Sequence, residues 1–368
     1  MADSENRVLE FYSGIGGLHA ALNRSAVCGQ VIQAFDWDQS ACQVYKAFHK
    51  CDIVQKTDIS TLSASYLASF EATVWLMSPS CQPYTVLNPL AKGAADPRAK
   101  SFIHLIENVL PELVTLRKHP KFLLVENVAG FETSTTRKNL LQTLTALGYS
   151  CLELLLTPLQ YGIPNSRLRY YLLAKIKPLS FLHTGDDGGR VWRHIPGQGE
   201  DWSDPRLQSD LDTMSNIKPL HDFLDMAMPE DTAHQLSIPE KVLEKWGRLF
   251  DIVTPFQRRT CCFTRGYTKL VERAGSILQM NEELNVSNHP QAVKILQPLA
   301  LRYFSPTELL RIFGFNSPRG DGPASWPADS EAEYRWPDGI SLKTRYKLIG
   351  NSVNVLVVTR LIDYLFLG

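Results

Sequence analysis

The sequence predicts an α/β fold with a mostly parallel sheet, followed by a smaller and less regular region. In the first half, short apolar runs alternate with stretches of helical periodicity, and this alternation stops near Pro178. Repeated strand–helix units place a parallel sheet between two layers of helices. The segment 185–210 is rich in Gly, Asp and Pro and is predicted to be a long loop or linker.

Each strand of the first half is an apolar run that ends at polar or glycine residues. Arg7–Tyr12 is followed by a glycine turn, and Leu18–Val27 then has apolar residues at helical spacing. Val31–Trp37 and Ser40–Phe48 repeat this strand–helix unit, and Ala72–Met77 is a compact buried strand. Because ligands of such sheets bind beyond the carboxyl ends of the strands, we expect functional residues at these ends.

The alternation continues with two helices and three strands. They are Lys100–Lys118, Lys121–Val128, Thr135–Leu147, Cys151–Thr157 and Arg169–Ile176. Pro111 should kink or divide the first of these helices, and Gly148 is placed as the C-cap of the second. Further on, Leu301–Phe313 and Val353–Leu367 are predicted helices, separated by a Pro- and Gly-rich loop at Asn316–Gly339.

Composition restricts the class of protein. The 38 basic residues balance the 38 acidic ones, which disfavours a protein that coats nucleic acid through bulk charge. We expect no secretory signal and no membrane span, because no apolar run approaches the roughly 20 residues that a span requires. Seven cysteines without a C-x-x-C pair predict reduced thiols and no metal site.

The glycine turn after the first strand is a candidate cofactor site. Gly14, Gly16 and Gly17 would let a ligand approach the backbone at a helix N-terminus, although an ordinary tight turn has the same pattern. A dinucleotide fingerprint would have a third glycine at the position of His19, so a dehydrogenase is disfavoured.

Residues after the next two strands suggest a nucleoside pocket. Asp36 could accept hydrogen bonds from ribose hydroxyls, Trp37 offers a flat face to a base, and Asp58-Ile59 could accept from an adenine amino group. Each could instead be a helix cap or a surface residue. Together they describe a pocket without a phosphate clamp, which suits S-adenosylmethionine.

A cysteine on a loop and a carboxyl group at a strand end are the candidate catalytic residues. Cys81 follows a buried strand and lies between two prolines in the segment 78–83, which restricts its direction. Glu126 ends a strand after apolar residues, where a carboxyl group is costly unless it is used or paired. We expect Arg167 and Arg169 to point to different sides of the chain, so that one can serve the site while the other packs structurally.

These groups suit methylation of cytosine at C5. A Cys81 thiolate that adds to C6 makes C5 nucleophilic, and the added electron density must be accepted at N3. Glu126 can donate a proton there, which requires that burial raise its pKa, and Arg169 can hold the O2 oxygen. The target base must leave its stack to reach such a pocket.

The sequence resembles the cytosine-C5 methyltransferases over nearly its whole length. Five motifs occur in the order of that family: the segment 11–17, Pro79-Ser80-Cys81-Gln82, Glu126-Asn127-Val128, Asn165-x-Arg167-x-Arg169 and Gly350-Asn351-Ser352. The resemblance implies a Rossmann-like, S-adenosylmethionine-dependent methyltransferase that releases S-adenosylhomocysteine. It implies a catalytic domain at 1–181, a target-recognition domain at 182–290 and a return to the catalytic domain at 291–368.

The resemblance also implies roles for individual residues. The cofactor contacts are Phe11, Ser13, Gly14, Gly16, Gly17, Asp36, Trp37, Asp58, Ile59, Ser80, Asn351, Ser352 and Val353. Cys81, Glu126, Arg167 and Arg169 are the catalytic residues, and Gln82 and Asn127 contact the substrate. The family usually has proline where this chain has Ser80. The serine restores an N–H and frees φ, so we expect it to lower activity without abolishing it.

Three stretches resemble the eukaryotic subgroup that methylates cytosine 38 of tRNA-Asp. They are 161–170, 262–267 and 301–306. Cys262-Phe263-Thr264 is a hallmark of that subgroup, and the resemblance implies that these three residues contact the substrate. Arg258, Arg259, Arg265 and Lys269 flank it as candidate phosphate contacts or as a solvated charged face. A DNA methyltransferase, or a nucleic-acid-binding homologue inactivated through Ser80, are the alternatives. We expect a monomer in the cytoplasm and nucleus.

Overall fold

The computed structural model describes residues 5–84, 96–185, 189–203, 216–225, 227–270, 274–281, 296–319 and 333–367. The chain forms two compact units. The first unit comprises Met1–Leu156, Leu168–Ser203 and Val355–Gly368, and the second comprises Thr157–Arg167 and Asp204–Asn354. Parts of the two loops predicted at 185–210 and 316–339 lie outside the described residues.

The first unit is built on an eight-stranded sheet. Its strands are β1 Asn6–Phe11, β2 Gly29–Asp36, β3 Val54–Lys56, β4 Val74–Met77, β5 Phe122–Val128, β6 Tyr149–Leu156, β7 Arg169–Ile176 and β8 Val191–Trp192. The strand order is β3-β2-β1-β4-β5-β7-β6-β8, and β7 alone runs antiparallel to its neighbours. The predicted α/β class with a mostly parallel, Rossmann-like sheet is therefore confirmed.

Helices cover this sheet, and all but the short helix at Ala64–Ala68 lie where the periodicity predicted them. They are α1 Gly17–Arg24, α2 Gln39–His49, α3 Ala64–Ala68, α4 Lys100–His104, α5 Leu110–Thr115 and α6 Thr135–Ala146. Their starting points follow from capping residues. Asp38 accepts hydrogen bonds from the backbone of Ser40 and Ala41 at α2, and Ser134 accepts one from Arg137 at α6.

Pro111 leaves the predicted helix 100–118 continuous but changes its winding. A π-helical turn, Leu105–Val109, joins α4 to α5, and the Leu110 amide donates to the carbonyl of Leu105. Proline has no N–H and its ring collides with the carbonyl four residues earlier. The wider π turn accommodates that ring without ending the helix.

The core of the first unit lies between the central strands and the helices. The four residues of β4 are all buried, as are the last four residues of β1. Phe11 packs against Phe35 and Trp75, with ring centroids 5.3 and 4.9 Å away. Strands of a parallel sheet that are covered on both faces are apolar throughout, so the functional side chains can lie only at their ends.

The second unit contains a small sheet and short helices. Its strands are β9 Ile252–Val253, β10 Ile277–Gln279 and β11 Leu301–Arg302, and its α-helices are α7 Glu230–Leu236, α8 Glu240–Trp246, α9 Pro306–Ile312 and α10 Leu342–Asn351. Helix α11, Val355–Leu365, belongs to the first unit. Short 3-10 turns occupy Ile59–Thr61, Pro97–Ala99, Phe131–Thr133, Pro158–Tyr161, Leu220–Phe223, Gly247–Leu249 and Gln297–Leu299.

The prediction of one helix over 301–313 was wrong at its start. Leu301 and Arg302 form a strand that pairs antiparallel with β10. The helix begins only after Ser305, whose side chain accepts from the amide of Glu308 while the Glu308 side chain accepts from the amide of Ser305. This capping box fixes the helix start at Pro306.

The unit boundaries also differ from the predicted domain boundaries at 182 and 291. Residues beyond 182 stay in the first unit because Val191–Trp192 pairs with β6. At the other end, α9 and α10 belong to the second unit, so the return to the first unit begins at Val355.

The chain has one apolar stretch that the sequence interpretation missed, judged over the described residues. Leu342–Leu365 is long and apolar enough to cross a membrane by length and composition, with a mean hydropathy of 1.3. The expectation that no run approaches this length was therefore wrong. Of that stretch, 78% is buried inside the protein, as in the core helices of a soluble fold.

Candidate active site

The glycine turn follows β1 at the carboxyl edge of the sheet. Tyr12, Gly14 and Gly16 all have positive φ, at 57, 54 and 84°. Positive φ is uncommon for a residue with a side chain, and such strain clusters at functional sites. Tyr12 was absent from the predicted site residues, and nothing in its residue type signals this conformation.

Asp36 shapes this turn from the end of β2. Its Oδ2 accepts from the amide of Gly14 at 2.8 Å, and its Oδ1 accepts from the amide of Asp38 at 2.7 Å. Burial raises the pKa of Asp36, and these hydrogen bonds oppose that shift. The carboxylate thus holds the turn in place, and each oxygen retains a second lone pair for a ligand hydroxyl.

A buried polar network supports the turn from below. Glu10 accepts from the Tyr45 hydroxyl at 2.9 Å and from the His19 amide at 3.3 Å, and the His19 ring lies 2.8 Å from that hydroxyl. His49 stacks on His19 at 4.0 Å and donates through Nε2 to the Gly16 carbonyl. Burial raises the pKa of Glu10 to about 8 and lowers that of His19 to about 4, so both are neutral near pH 7.

Two side chains at this edge, Ser13 and Trp37, show whether the site fits S-adenosylmethionine. The Ser13 hydroxyl is buried beside the turn and has no hydrogen-bond partner among the described residues. A buried hydroxyl without a partner is costly, and a ligand that accepts its hydrogen bond removes that cost. The Trp37 ring is 69% exposed and free to lie against a base. The turn therefore fits the polar, nucleoside-containing cofactor that the sequence predicts.

The remaining cofactor candidates of the first unit lie in three different surroundings. Asp58 is exposed and caps a 3-10 turn by accepting from the Ser60 amide at 2.9 Å, while Ile59 is buried. Phe11 is completely buried in the core, and its carbonyl accepts from the Ser78 amide at 3.3 Å. Gly17 is the first residue of α1.

Cys81 lies on a loop, 78–84, that we call the nucleophile loop. Ser78 anchors its start, since its hydroxyl donates to the Tyr12 carbonyl at 3.0 Å. Asn127 Nδ2 donates to the Pro79 carbonyl at 3.2 Å. The Tyr84 amide donates to the Cys81 carbonyl at 3.0 Å and closes a turn. The loop is thus bonded both to the residue before the glycine turn and to the end of β5.

Glu126 lies at the end of β5, next to Asn127, and pairs with Arg169. β4 and β5 are parallel neighbours, with Met77 opposite Val125, so the nucleophile loop and Glu126 leave the sheet at the same edge. Glu126 Oε1 lies 3.4 Å from Arg169 Nε, and both side chains are largely buried. An acid, a guanidinium and a thiol on an adjacent loop form one constellation at the carboxyl edge of the first unit.

Arg167 belongs to the second unit, where backbone carbonyls hold its guanidinium. Its Nη1 donates to the Phe263 carbonyl at 2.9 Å, and its Nη2 donates to the carbonyls of Gly350 and Ser352 at 3.2 and 2.6 Å. The residue is only 4% exposed and its guanidinium lies over the Phe313 ring. These contacts give Arg167 a packing role in the second unit, and its catalytic role stays a prediction.

The predicted cofactor residues near the C-terminus lie around this guanidinium. Asn351 ends α10, Ser352 is its C-cap, and Val353 is buried. Gly350 lies so close to the backbone of Thr264 that a Cβ atom would come within 2.3 Å of its carbonyl carbon. Close packing accounts for the Gly-Asn-Ser motif within the second unit.

The Cys-Phe-Thr segment is also mostly buried. Phe263 is fully buried against Tyr267 and Phe304, and Cys262 Sγ lies 3.5 Å from Arg167 Nη1. The Thr264 amide donates to the Ala274 carbonyl at 2.9 Å. These contacts make the segment a packing element of the second unit.

The four cations beside this segment divide into two pairs. Arg259 forms a 2.6 Å ion pair with Asp251, and Arg258 donates to the Ile217 carbonyl. Arg265 and Lys269 are exposed. The exposed pair is therefore better placed than the other to meet a phosphate.

Comparison with known proteins gives the family. The model of the C-5 cytosine-specific DNA methylases matches residues 6–366. The tRNA (cytosine(38)-C(5))-methyltransferase of Schizosaccharomyces pombe is 37% identical over 359 residues, covering 98% of this chain and 96% of that protein. The DNA (cytosine-5)-methyltransferase of Dictyostelium discoideum is 35% identical, covering 98% of this chain and 94% of that protein.

A solved structure agrees with these relatives. The crystal structure of the S. pombe Dnmt2 methyltransferase superposes with a TM-score of 0.76 at 35% identity, covering 98% of each chain. Sequence match, fold and the constellation at the sheet edge lead to the same conclusion: this chain is a member of the C-5 cytosine-specific DNA methylase family.

Proposed function

We propose that this chain transfers a methyl group from S-adenosylmethionine to C5 of cytosine in tRNA, at cytosine 38 of tRNA-Asp. One observation carries the proposal. The loop that holds Cys81 is bonded to the Tyr12 carbonyl, beside the glycine turn, and to Asn127, beside Glu126. A nucleophile, an acid and a cofactor turn thereby share one edge of the sheet.

The cofactor supplies the methyl group when it is bound. Ser13 and the amides of the glycine turn would hold its polar end, Asp36 and Asp58 its hydroxyl and amino groups, and Trp37 its base. Ser80, next to the nucleophile, would also contact the cofactor.

Three side chains act on the base. The Cys81 thiolate adds to C6, a protonated Glu126 donates to N3, and Arg169 holds O2. After the methyl group reaches C5, a base removes the C5 proton and the bond between Cys81 and C6 breaks. Without a bound cytosine, Glu126 and Arg169 form an ion pair across 3.4 Å, which compensates two buried charges in the empty site. When cytosine binds, Arg169 turns to O2 and Glu126 takes up the proton that it donates to N3.

The established names of several relatives support RNA as the substrate. The S. pombe relative is named for cytosine 38 of tRNA and is similar over nearly its whole length. An unpaired anticodon-loop base is already partly unstacked, which lowers the cost of bringing it into a pocket. The exposed Arg265 and Lys269 would contact phosphates. We propose that the protein acts as a monomer in the cytoplasm and nucleus.

DNA is the second candidate substrate, because the Dictyostelium relative of equal similarity is named as a DNA methyltransferase. Transfer of labelled methyl from S-adenosylmethionine to purified tRNA and to duplex DNA separates the two. We expect incorporation into tRNA-Asp, none into DNA and none with Cys81→Ala. Incorporation into DNA alone would establish the second candidate, and transfer that survives Cys81→Ala would rule out the covalent mechanism.

A further inference from the structure

Arg98 lies beside the nucleophile loop and is held in one orientation by a buried acid. Its Nε donates to Asp96 Oδ1 at 2.8 Å and its Nη2 donates to Asp96 Oδ2 at 2.6 Å. The same carboxylate accepts from the Arg98 amide at 3.0 Å, which caps the 3-10 turn before α4. The Asp96 side chain is 6% exposed and that of Arg98 is 44% exposed. A two-bonded pair of this kind fixes the plane of the guanidinium.

The third nitrogen of this guanidinium reaches the nucleophile loop. Nη1 of Arg98 donates to Oε1 of Gln82, the residue that follows Cys81. The loop is bonded elsewhere at Ser78, Pro79 and the Tyr84 hydroxyl, which lies 3.0 Å from Thr136 Oγ1. Arg98 therefore anchors the segment between these points, immediately next to the sulfur.

The charge of Arg98 also acts on Cys81. The pKa of Arg98 is raised chiefly by its bond to Asp96, and interaction with a Cys81 thiolate contributes to the same shift. Such coupling is reciprocal, so the guanidinium favours the thiolate over the thiol.

Other titratable groups adjoin this loop. Burial raises the pKa of Tyr84, which keeps it neutral, and the charge of Asp96 is matched by Arg98 itself. Glu126 and Arg169 form their own pair at the end of β5. Asp96 offsets part of the Arg98 charge and fixes its direction, so that Nη1 is the part of the cation that faces the loop.

We propose that Arg98 is a positioning residue for Cys81: it holds the nucleophile loop through Gln82 and supplies positive charge that favours the thiolate. The proposal rests on Cys81 being the nucleophile of the proposed reaction. Gln82, which was expected to contact the substrate, then acts through its bond to Arg98. Asp96 matters because it directs the guanidinium.

Alkylation of the sulfur tests this without any nucleic acid. Wild type, Arg98→Gln and Arg98→Lys are treated with iodoacetamide from pH 6 to 9.5, and the peptide containing Cys81 is quantified by mass spectrometry. Cys28 is exposed and serves as the internal reference. Arg360→Gln, an exposed arginine on α11, is the matched control. We expect Arg98→Gln to slow Cys81 alkylation at pH 7.5 by about three- to tenfold, as a shift of half to one pH unit requires.

The lysine variant separates charge from geometry and guards against misfolding. Arg98→Lys should restore most of the alkylation rate through its charge, while methyl transfer stays below wild type because a lysine cannot bond Asp96 and Gln82 together. In Arg98→Gln, the pH profile of methyl transfer should shift in the same direction as the alkylation profile. Identical Cys81 profiles in wild type and Arg98→Gln, whether methyl transfer falls or not, would overturn the proposal. If wild type methylates neither tRNA nor DNA, the proposed function fails, and the alkylation profiles still decide the role of Arg98.

Discussion

Arg167 and Arg169 are separated by one residue and end in different surroundings. On a regular strand, residues i and i+2 point to the same side, so their spacing alone does not send the two side chains apart. They diverge because β7 begins only at Arg169, which leaves Arg167 outside the strand. Residue type alone did not distinguish the two. The carbonyls that enclose Arg167 come from positions 263, 350 and 352, and no local pattern announces contacts of that sequence separation.

Ser80 gives the first prediction at this scale. Proline at this position would fix φ and reduce the entropy lost when the loop becomes ordered, by about 0.4–1 kcal/mol. Ser80→Pro should therefore raise the rate of methyl transfer by roughly two- to fivefold. Single-turnover rates of wild type and variant measure this, and Ser80→Pro combined with Cys81→Ala should be inactive. An unchanged or lower rate in Ser80→Pro would mean that the serine does not limit activity.

Gly16 gives the second prediction at the residue scale. Its φ is 84°, and a Cβ atom would lie 2.1 Å from His49 Nε2, whereas a Cβ at Gly14 (φ 54°) would meet nothing within 4 Å. Gly14→Ala should cost about 1–2 kcal/mol for the left-handed backbone alone. Gly16→Ala should cost roughly 1–3 kcal/mol more, because the His49 ring must move. Urea denaturation without cofactor compares them, and equal losses would show that His49 yields freely.

At the scale of elements, most strands and helices of the first unit were predictable because their apolar residues have a clear period. The π turn before Pro111 and the strand at Leu301–Arg302 were not. The former depends on how a helix relieves a proline clash, and the latter on a partner strand more than 20 residues away, as Leu278 pairs with Arg302. The network beneath the glycine turn was also missed, since it joins β1, α1 and α2.

That network predicts a pH dependence of stability. The pKa of Glu10 is about 8 in the folded protein against an ordinary value of 4.5, so between these pH values the folded state retains a proton that the unfolded chain releases. The free energy of unfolding should therefore fall as pH rises through this window, by up to about 1.4 kcal/mol per pH unit. Glu10→Gln should remove this slope.

Chemical denaturation of wild type and Glu10→Gln at pH 5, 6, 7 and 8 measures the difference. His19, whose pKa is lowered to about 4, acts in the opposite sense, and stability is lost as pH falls below its ordinary range. Both proteins contain His19, so its contribution cancels in the comparison. Parallel curves for the two proteins would show that Glu10 is ionised in the folded state at neutral pH.

At the scale of the whole molecule, basic and acidic residues balance, so we expect only a few local cations to contact nucleic acid. Alanine at both Arg265 and Lys269 should weaken tRNA binding and reduce the salt slope, log K against log salt, by about two. Alanine at Arg258 and Arg259 should have a smaller effect, because these side chains already bond within the second unit. Filter binding at several salt concentrations measures this, with Arg360→Ala as control. An unchanged slope would exclude Arg265 and Lys269 as phosphate contacts.

The hydrogen bonds of Arg167 to residues 350 and 352 have a consequence for synthesis of the chain. The first unit depends on the residues that follow in the chain. The Thr359 hydroxyl donates to the Ala21 carbonyl at 3.3 Å, and Lys175 Nζ donates to the Leu367 carbonyl at 2.5 Å. Neither unit can complete its core before residues 350–367 have left the ribosome. Each unit therefore stays incompletely folded until translation has passed this segment.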